Sequence, residues 1–305
     1  EDLDLDLVAR YTRAETETDP QDFEFPPGPT FGLIVDADNV TEVERFYGRA
    51  QGRYRMLDGA LEHTLGAALT DTENRFFDEG TRTNRSEGAK FKIDYQAAYF
   101  LDTDTAAHTF VFAAEREKET FEQEGEGPDA PQNQDRDIVN YGLVGEYRLA
   151  FADNLDLSAA LRYDDNARFD DAVTYRFTGS YLFADTATRL HASIGRGVKN
   201  PTFTELFGFF PDSFIGNPDL EPETSVGYDL GLEQVFWDGR ALVDITVFRA
   251  DLEDEIITTF DNDTFLSSVE NGEDDSQRQG LELSAQVSPW PYLDLRASYT
   301  YTDSD

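Results

Sequence analysis

The chain is 305 residues long and carries 63 Asp and Glu against 25 Lys and Arg, a formal net charge of -38 at pH 7. That balance excludes a nucleic-acid partner, which needs a basic surface; the lack of cysteine excludes a disulfide framework and a thiolate metal site. Apolar runs such as Phe31 to Val35 are far too short to cross a membrane as helices.

Apolar and polar residues alternate from Leu3 to Tyr301, and no stretch reads as a helix. Side chains of a strand switch faces at every residue, so this pattern predicts an all-β chain whose strands are greasy on one face and wet on the other. In chain order the pattern gives strands near 2–18, 44–57, 61–77, 88–101, 107–122 and 137–151, then 155–164, 172–184 and 188–199. It resumes at 225–237, 240–253, 278–287 and 292–303. Within them Val139, Tyr141, Leu143, Tyr147, Leu149 and Phe151 share one parity, as do Val173, Tyr175, Phe177, Tyr181 and Phe183, and again Val226, Tyr228, Leu230, Leu232 and Phe236. The segment 240–252 is ambiguous: Val243, Ile245 and Val247 share their parity with Arg249 and Asp251, while Leu242 and Phe248 face the other way.

Connections near 58–60, 102–106, 152–154, 184–187, 238–239 and 288–291 are short. Those near 19–43, 78–87, 123–136, 165–171, 200–224 and 254–277 are longer and polar. Strict alternation of short and long is the signature of an antiparallel up-and-down transmembrane β-barrel, with tight turns on one rim and long loops on the other. Such a wall needs grease on only one residue in two, so an acidic, polar composition is compatible with contact to outer-membrane lipid. The competing architecture is a water-soluble barrel or sandwich with the apolar parity turned inward. About thirteen strands are counted, an odd number where single-chain barrels are even, which predicts a piece of a larger wall of about 22 strands.

One segment is more specific than the pattern. Gly195-Arg196-Gly197-Val198-Lys199-Asn200-Pro201-Thr202-Phe203-Thr204-Glu205-Leu206, followed by Gly216-Asn217-Pro218-Asp219-Leu220-Glu221-Pro222-Glu223-Thr224-Ser225, resembles the barrel signature of TonB-dependent outer-membrane receptors. It runs on through Gly227-Tyr228-Asp229-Leu230-Gly231, where the family more often has Glu than Asp229, and later through Gln279-Gly280-Leu281-Glu282 and Leu295 to Tyr301. Residues 136–305 carry the resemblance to vitamin B12 and siderophore receptors; 1–135 rest on the alternation alone. It implies that 1–305 form part of a receptor barrel in the outer membrane of a Gram-negative bacterium, with a plug domain and final strands outside the chain. It also implies coupling, through that plug, to an inner-membrane TonB complex.

In the motif, Pro201, Pro218 and Pro222 fix φ and lower the entropy lost when a long loop is ordered, while Asn217 and Glu223 can bond backbone groups that the prolines leave without partners. These residues are expected to be structural. Phe203, Phe207, Phe209, Phe210 and Phe214, clustered on one long loop, are the better candidates for ligand contact, with a self-packed loop as the alternative. Clustered oxygens at Asp261, Asn262 and Asp263 or at Glu270 to Asp275 suit a loop-bound calcium ion, though neither has EF-hand spacing. His63, His108 and His191 lie on different strands without spaced partners, so catalysis has no constellation, and His191 is expected to face the lumen. No cofactor is implied. Two functions remain: uptake of a scarce bulky ligand of siderophore or cobalamin type by TonB-coupled transport, or a passive pore with an acidic, cation-selective lumen.

Overall fold

The computed structural model describes residues 2–23, 26–208, 210–211 and 213–305. Thirteen strands form one antiparallel sheet in which each strand pairs with the next strand of that sheet along the chain. They are β1 (Asp2–Thr18), β2 (Asn39–Met56), β3 (Leu61–Asp78), β4 (Thr81–Asp102), β5 (Ala106–Glu124), β6 (Gln134–Phe151), β7 (Leu155–Asn166), β8 (Ala172–Phe183), β9 (Thr188–Lys199), β10 (Glu223–Phe236), β11 (Ala241–Glu253), β14 (Ser276–Trp290) and β15 (Leu293–Ser304). A separate hairpin, β12 (Ile256–Asp261) and β13 (Leu266–Asn271), sits in the connection from β11 to β14. The sheet is not closed: β1 and β15 are its two edges, and no ladder joins them among the described residues.

Register decides which residues share a face. Leu5, Gly52, Leu65, Tyr95, Ala114, Leu143 and Tyr163 lie in one row across β1 to β7. Tyr181, Leu190, Leu232, Ile245, Leu283 and Tyr299 form another across β8 to β15. These rows stay open: Leu5 is 72% exposed, Leu143 48% and Ile245 45%. A soluble barrel or sandwich with the same parity turned inward buries those side chains, so the apolar face is the lipid face. The same rows resolve β11, because Ile245 sits between Leu232 and Leu283 and Val247 between Leu230 and Leu281. Val243, Ile245 and Val247 are therefore lipid-facing, and Asp244, Thr246 and Phe248 line the inner wall.

Three expectations need correction. The connection near 78–87 is not a loop but a two-residue turn at Glu79 and Gly80, both with positive φ (47° and 75°), the geometry that favours Gly in a tight hairpin; β3 and β4 extend to meet it. The connection near 254–277 contains the β12–β13 hairpin. A one-turn helix, α1 (Phe203–Phe207), stands where no helix is expected. On the opposite rim the turns are as short as expected. Leu57-Asp58-Gly59 and Trp237-Asp238-Gly239 repeat one design, with three consecutive positive φ values ending on Gly59 (89°) and Gly239 (86°).

The strands of the first half are far longer than a bilayer needs, β4 reaching 22 residues against about ten for a spanning strand. Their outer parity changes character part-way up. Above the Leu69–Phe91 pair it passes through Glu73–Glu87 to Arg75–Arg85. There Arg75 reaches Glu73 at 2.8 Å and Glu44 at 3.4 Å, Arg85 reaches Glu73 at 2.5 Å and Glu122 at 3.5 Å, and Arg85 also contacts Glu87. Charges on the lipid face are costly in hydrocarbon and cheap above it, so this switch marks the upper edge of the membrane band. The sheet continues roughly 20 Å beyond it at about 3.3 Å per residue.

Candidate functional site: the cap over the inner wall

The long loop from β9 to β10 folds back over the inner wall and builds a small protein core, while the rest of the sheet has almost none. Leu206 is fully buried (0% exposed), and with Leu220 and Val269 it packs against Ile138, Phe169, Phe207, Phe214 and Ile256. Three loops and the inner face of β6 thus meet in one cap.

Local chemistry explains why α1 forms. Thr202 accepts from the Glu205 amide at 3.2 Å, and the Glu205 carboxylate accepts from the Thr202 amide at 2.7 Å. This reciprocal capping box is written in the sequence as Thr-x-x-Glu, a spacing that period-two alternation does not mark. The chain then doubles back at Gly208 and Gly216, where a Cβ on either glycine collides with the backbone of the other. Asn217 accepts from the Asp219 amide at 3.0 Å, beside Pro218, and donates to the Val269 carbonyl at 3.1 Å. Glu223 accepts from the Ile256 amide at 2.9 Å and pairs with Lys199 at 3.0 Å. Between the loops, the Ile215 amide donates to the Ser267 carbonyl and the Ser267 amide to the Ser213 carbonyl, so residues 213–215 run beside the β12–β13 hairpin.

The candidate aromatics separate. Phe203 stacks on Phe121 and Phe207, with ring centroids 6.0 and 6.4 Å apart. Phe207 lies under two guanidinium groups, Arg136 at 4.4 Å and Arg168 at 5.0 Å, cation–π contacts. Phe214 packs into the core, Phe210 is exposed, and Phe209 lies outside the described residues. Sequence reasoning missed Phe121, Arg136, Arg168 and Phe169, whose partners lie on other strands and loops. Of the motif, Pro201, Leu206 and Leu220 are buried, while Gly195 and Gly197 lie in β9 and Ser225 in β10. Pro222 ends the loop just before β10.

Asp261 accepts from the amides of Asp263 (2.8 Å) and Thr264 (3.4 Å). Those backbone donors, that of Asp263 foremost, together with the Thr264 side chain, hold its carboxyl below the usual carboxylate range. Its oxygen thus caps the hairpin turn, and no group of three or more potential ligands converges among the described residues. On the inner wall His191 pairs with Asp244 at 2.8 Å, and Arg148 with Glu146 at 2.6 Å. Arg53, Arg55, Arg176 and Arg189 line that wall along with Asp156, Asp229 and Glu233. The lumen therefore carries both signs.

The description "TonB dependent receptor-like, beta-barrel" matches residues 2–305. The chain belongs to this family. The match takes in β1 to β5, which the sequence motifs alone do not reach. Among relatives, the vitamin B12 transporter BtuB of Photobacterium profundum is 29% identical over 176 residues, 56% of this chain and 27% of the transporter. The iron-regulated outer membrane virulence protein of Vibrio cholerae serotype O1 (strain ATCC 39541) is 25% identical over 183 residues, 54% of this chain and 26% of that protein. Among solved structures, the siderophore receptor PirA of Pseudomonas aeruginosa superposes with a TM-score of 0.75 at 18% identity, over 87% of this chain and 51% of PirA. The outer membrane transporter YddB of Escherichia coli gives 0.77 at 12% identity, over 99% and 46%. This TonB-dependent receptor chain is thus an outer-membrane barrel wall that spans about half of those structures.

Proposed function

We propose that the chain forms the wall and mouth of an outer-membrane receptor that takes up a scarce, bulky ligand of siderophore or cobalamin type by TonB-coupled active transport. The observation that carries this reading is the family match over 2–305, joined to a cap packed against the inner face of the wall. A plug domain, the TonB box and the strands that complete the wall belong, on this reading, to parts of the receptor outside these residues. A barrel of about 22 strands has a lumen wide enough to require a plug. The passive-pore alternative relies on an acidic lumen, and the arginines of the inner wall weaken it.

The test is uptake of cobalamin and ferric chelates by cells expressing the full-length receptor, with and without a working TonB complex. Transport that collapses when the complex is disabled supports the proposal. Unselective, energy-independent passage of small solutes favours the pore.

A further inference from the structure

Along the lipid face, the first Asp, Glu, Lys or Arg above the apolar band is acidic on four neighbouring strands: Asp71 on β3, Glu87 on β4, Asp137 on β6 and Asp165 on β7. On β5, between them, it is Arg116, followed by Lys118. In register Arg116 lies between Ile93 of β4 and Tyr141 of β6, and Lys118 between Phe91 and Val139. Two cations thus stand at the upper edge of the band with apolar or aromatic neighbours in their own rows.

Arg116 Nε donates to Tyr141 Oη at 3.3 Å, and the guanidinium lies 5.8 Å from the centroid of that ring. It makes no ion pair among the described residues, and its two Nη groups have no protein partner there. Lys118 has one carboxylate, Asp137, at 3.4 Å. Asp137 and Asp165 both lie on the β6 and β7 side of the two cations. Toward β4 their row neighbours are Ile93 and Phe91, so an anion approaching from that side meets two positive charges first.

Below Arg116 the wall carries a groove of about 410 Å³. Ala114 is the small residue between Tyr95 and Leu143 in its row and leaves the hollow; Leu65 and Ile93 bound it toward β3 and β4. Asp165 lines it only on the far side of Tyr141. The groove is open to the bilayer, with Leu65 57% exposed, so what fills it is a lipid chain. Its upper end is cationic, so that lipid carries an anionic headgroup.

We propose that this groove holds a phosphorylated glycolipid of the outer leaflet, one acyl chain lying over Ala114 and one phosphate between Arg116 and Lys118. Height selects the leaflet, because Arg116 lies on the long-loop side of the band. A guanidinium at the membrane edge pairs with phosphate through two parallel N–H groups, and a lysine beside it snorkels to the same level. Above them, the carboxylates of Asp71 and Glu87 suit sugar hydroxyls and repel further phosphates. In a chain of net charge -38, this isolated cationic spot localises the lipid on one stretch of the wall. The site is on the lipid side and is independent of the ligand transported.

The test places the purified full-length receptor in phosphatidylcholine nanodiscs and counts retained lipid by native mass spectrometry. The probes are bisphosphorylated lipid A, the same glycolipid stripped of phosphate, and phosphatidylglycerol. The phosphorylated glycolipid should be held at least about tenfold more tightly than either of the others. R116A/K118A should weaken it about tenfold, and A114W, which fills the groove, should do the same with the heat-resistant mobility of the folded barrel unchanged. R176A, on the inner wall, should have no effect. Equal retention of the stripped glycolipid, equal or tighter binding of phosphatidylglycerol, retention of no lipid, or binding untouched by the substitutions in a folded receptor overturns the proposal. If R116A/K118A does not fold, A114W and the three-lipid comparison on the unaltered receptor decide it.

Discussion

The membrane wall and the cap are stabilised in opposite ways. In the wall, backbone ladders satisfy every interior strand while the large apolar side chains stay exposed, because their solvent is lipid. In the cap, a few apolar side chains from distant segments are sealed from all solvent around Leu206. A substitution that removes volume should therefore be felt in the cap and tolerated in the wall, and one that adds charge should do most harm on the lipid face.

The largest expected effect is topological and all-or-none. An epitope inserted between Asn262 and Asp263, on the tip of the β12–β13 hairpin, should be reached by antibody on intact cells. One inserted between Asp238 and Gly239 should stay hidden until the outer membrane is permeabilised. A tag near Asp212, in the 200–224 connection and outside the described residues, should be reached from outside in the same way. Equal accessibility at both rims breaks the contrast between loops and turns.

Next in size is Leu206→Ala. Truncating a fully buried leucine removes its transfer energy and leaves a cavity, together costing about 2–5 kcal/mol. The cap should open, read as faster amide exchange across 203–220 and new protease cleavage there. Leu143→Ala on the lipid face leaves no protein cavity and should change neither. Equal effects at the two sites would mean that the cap is not a separate core.

On the lipid face, Ile245→Arg should destabilise a reconstituted receptor by about 2–4 kcal/mol, as charges near the bilayer midplane do, whereas Thr246→Arg projects into the lumen and should cost little. Denaturant titration in vesicles compares them. Spin labels at Leu143, Phe177 and Leu283 should likewise be accessible to oxygen and shielded from a water-soluble quencher. The reverse order at 245 and 246 would invert the parity of β11.

The smallest effect is confined to the hairpin tip. Asp261 is held below its unfolded pKa by the amides it accepts from, so its stabilising contribution is fully present above about pH 4 and fades as pH falls through the lower folded value. Amide exchange at Asp263 and Thr264 should rise below about pH 4 in the native protein, and Asp261→Asn should flatten that dependence. A tip equally protected at pH 3 and pH 7 removes the carboxylate from its role.

Local alternation in the sequence determined the strand count of the wall, its meander and the lipid parity of most strands, because side-chain direction in a strand depends only on position parity. The motif between Gly195 and Ser225 carried the family through its prolines, its glycines and the Glu205-Leu206 pair, which act within a few residues of one another. What alternation left open was decided by neighbours far along the chain. The face of β11 follows from Leu232 and Leu283 on adjoining strands, and the 79–80 turn was hidden because charged residues above the membrane replace the apolar parity that marks a strand within it. The cap was decided by tertiary structure alone. Leu206, Val269, Ile138 and Phe169 come from four separate segments, and no pattern in any one of them says that burial, rather than solvent or lipid, awaits its side chain.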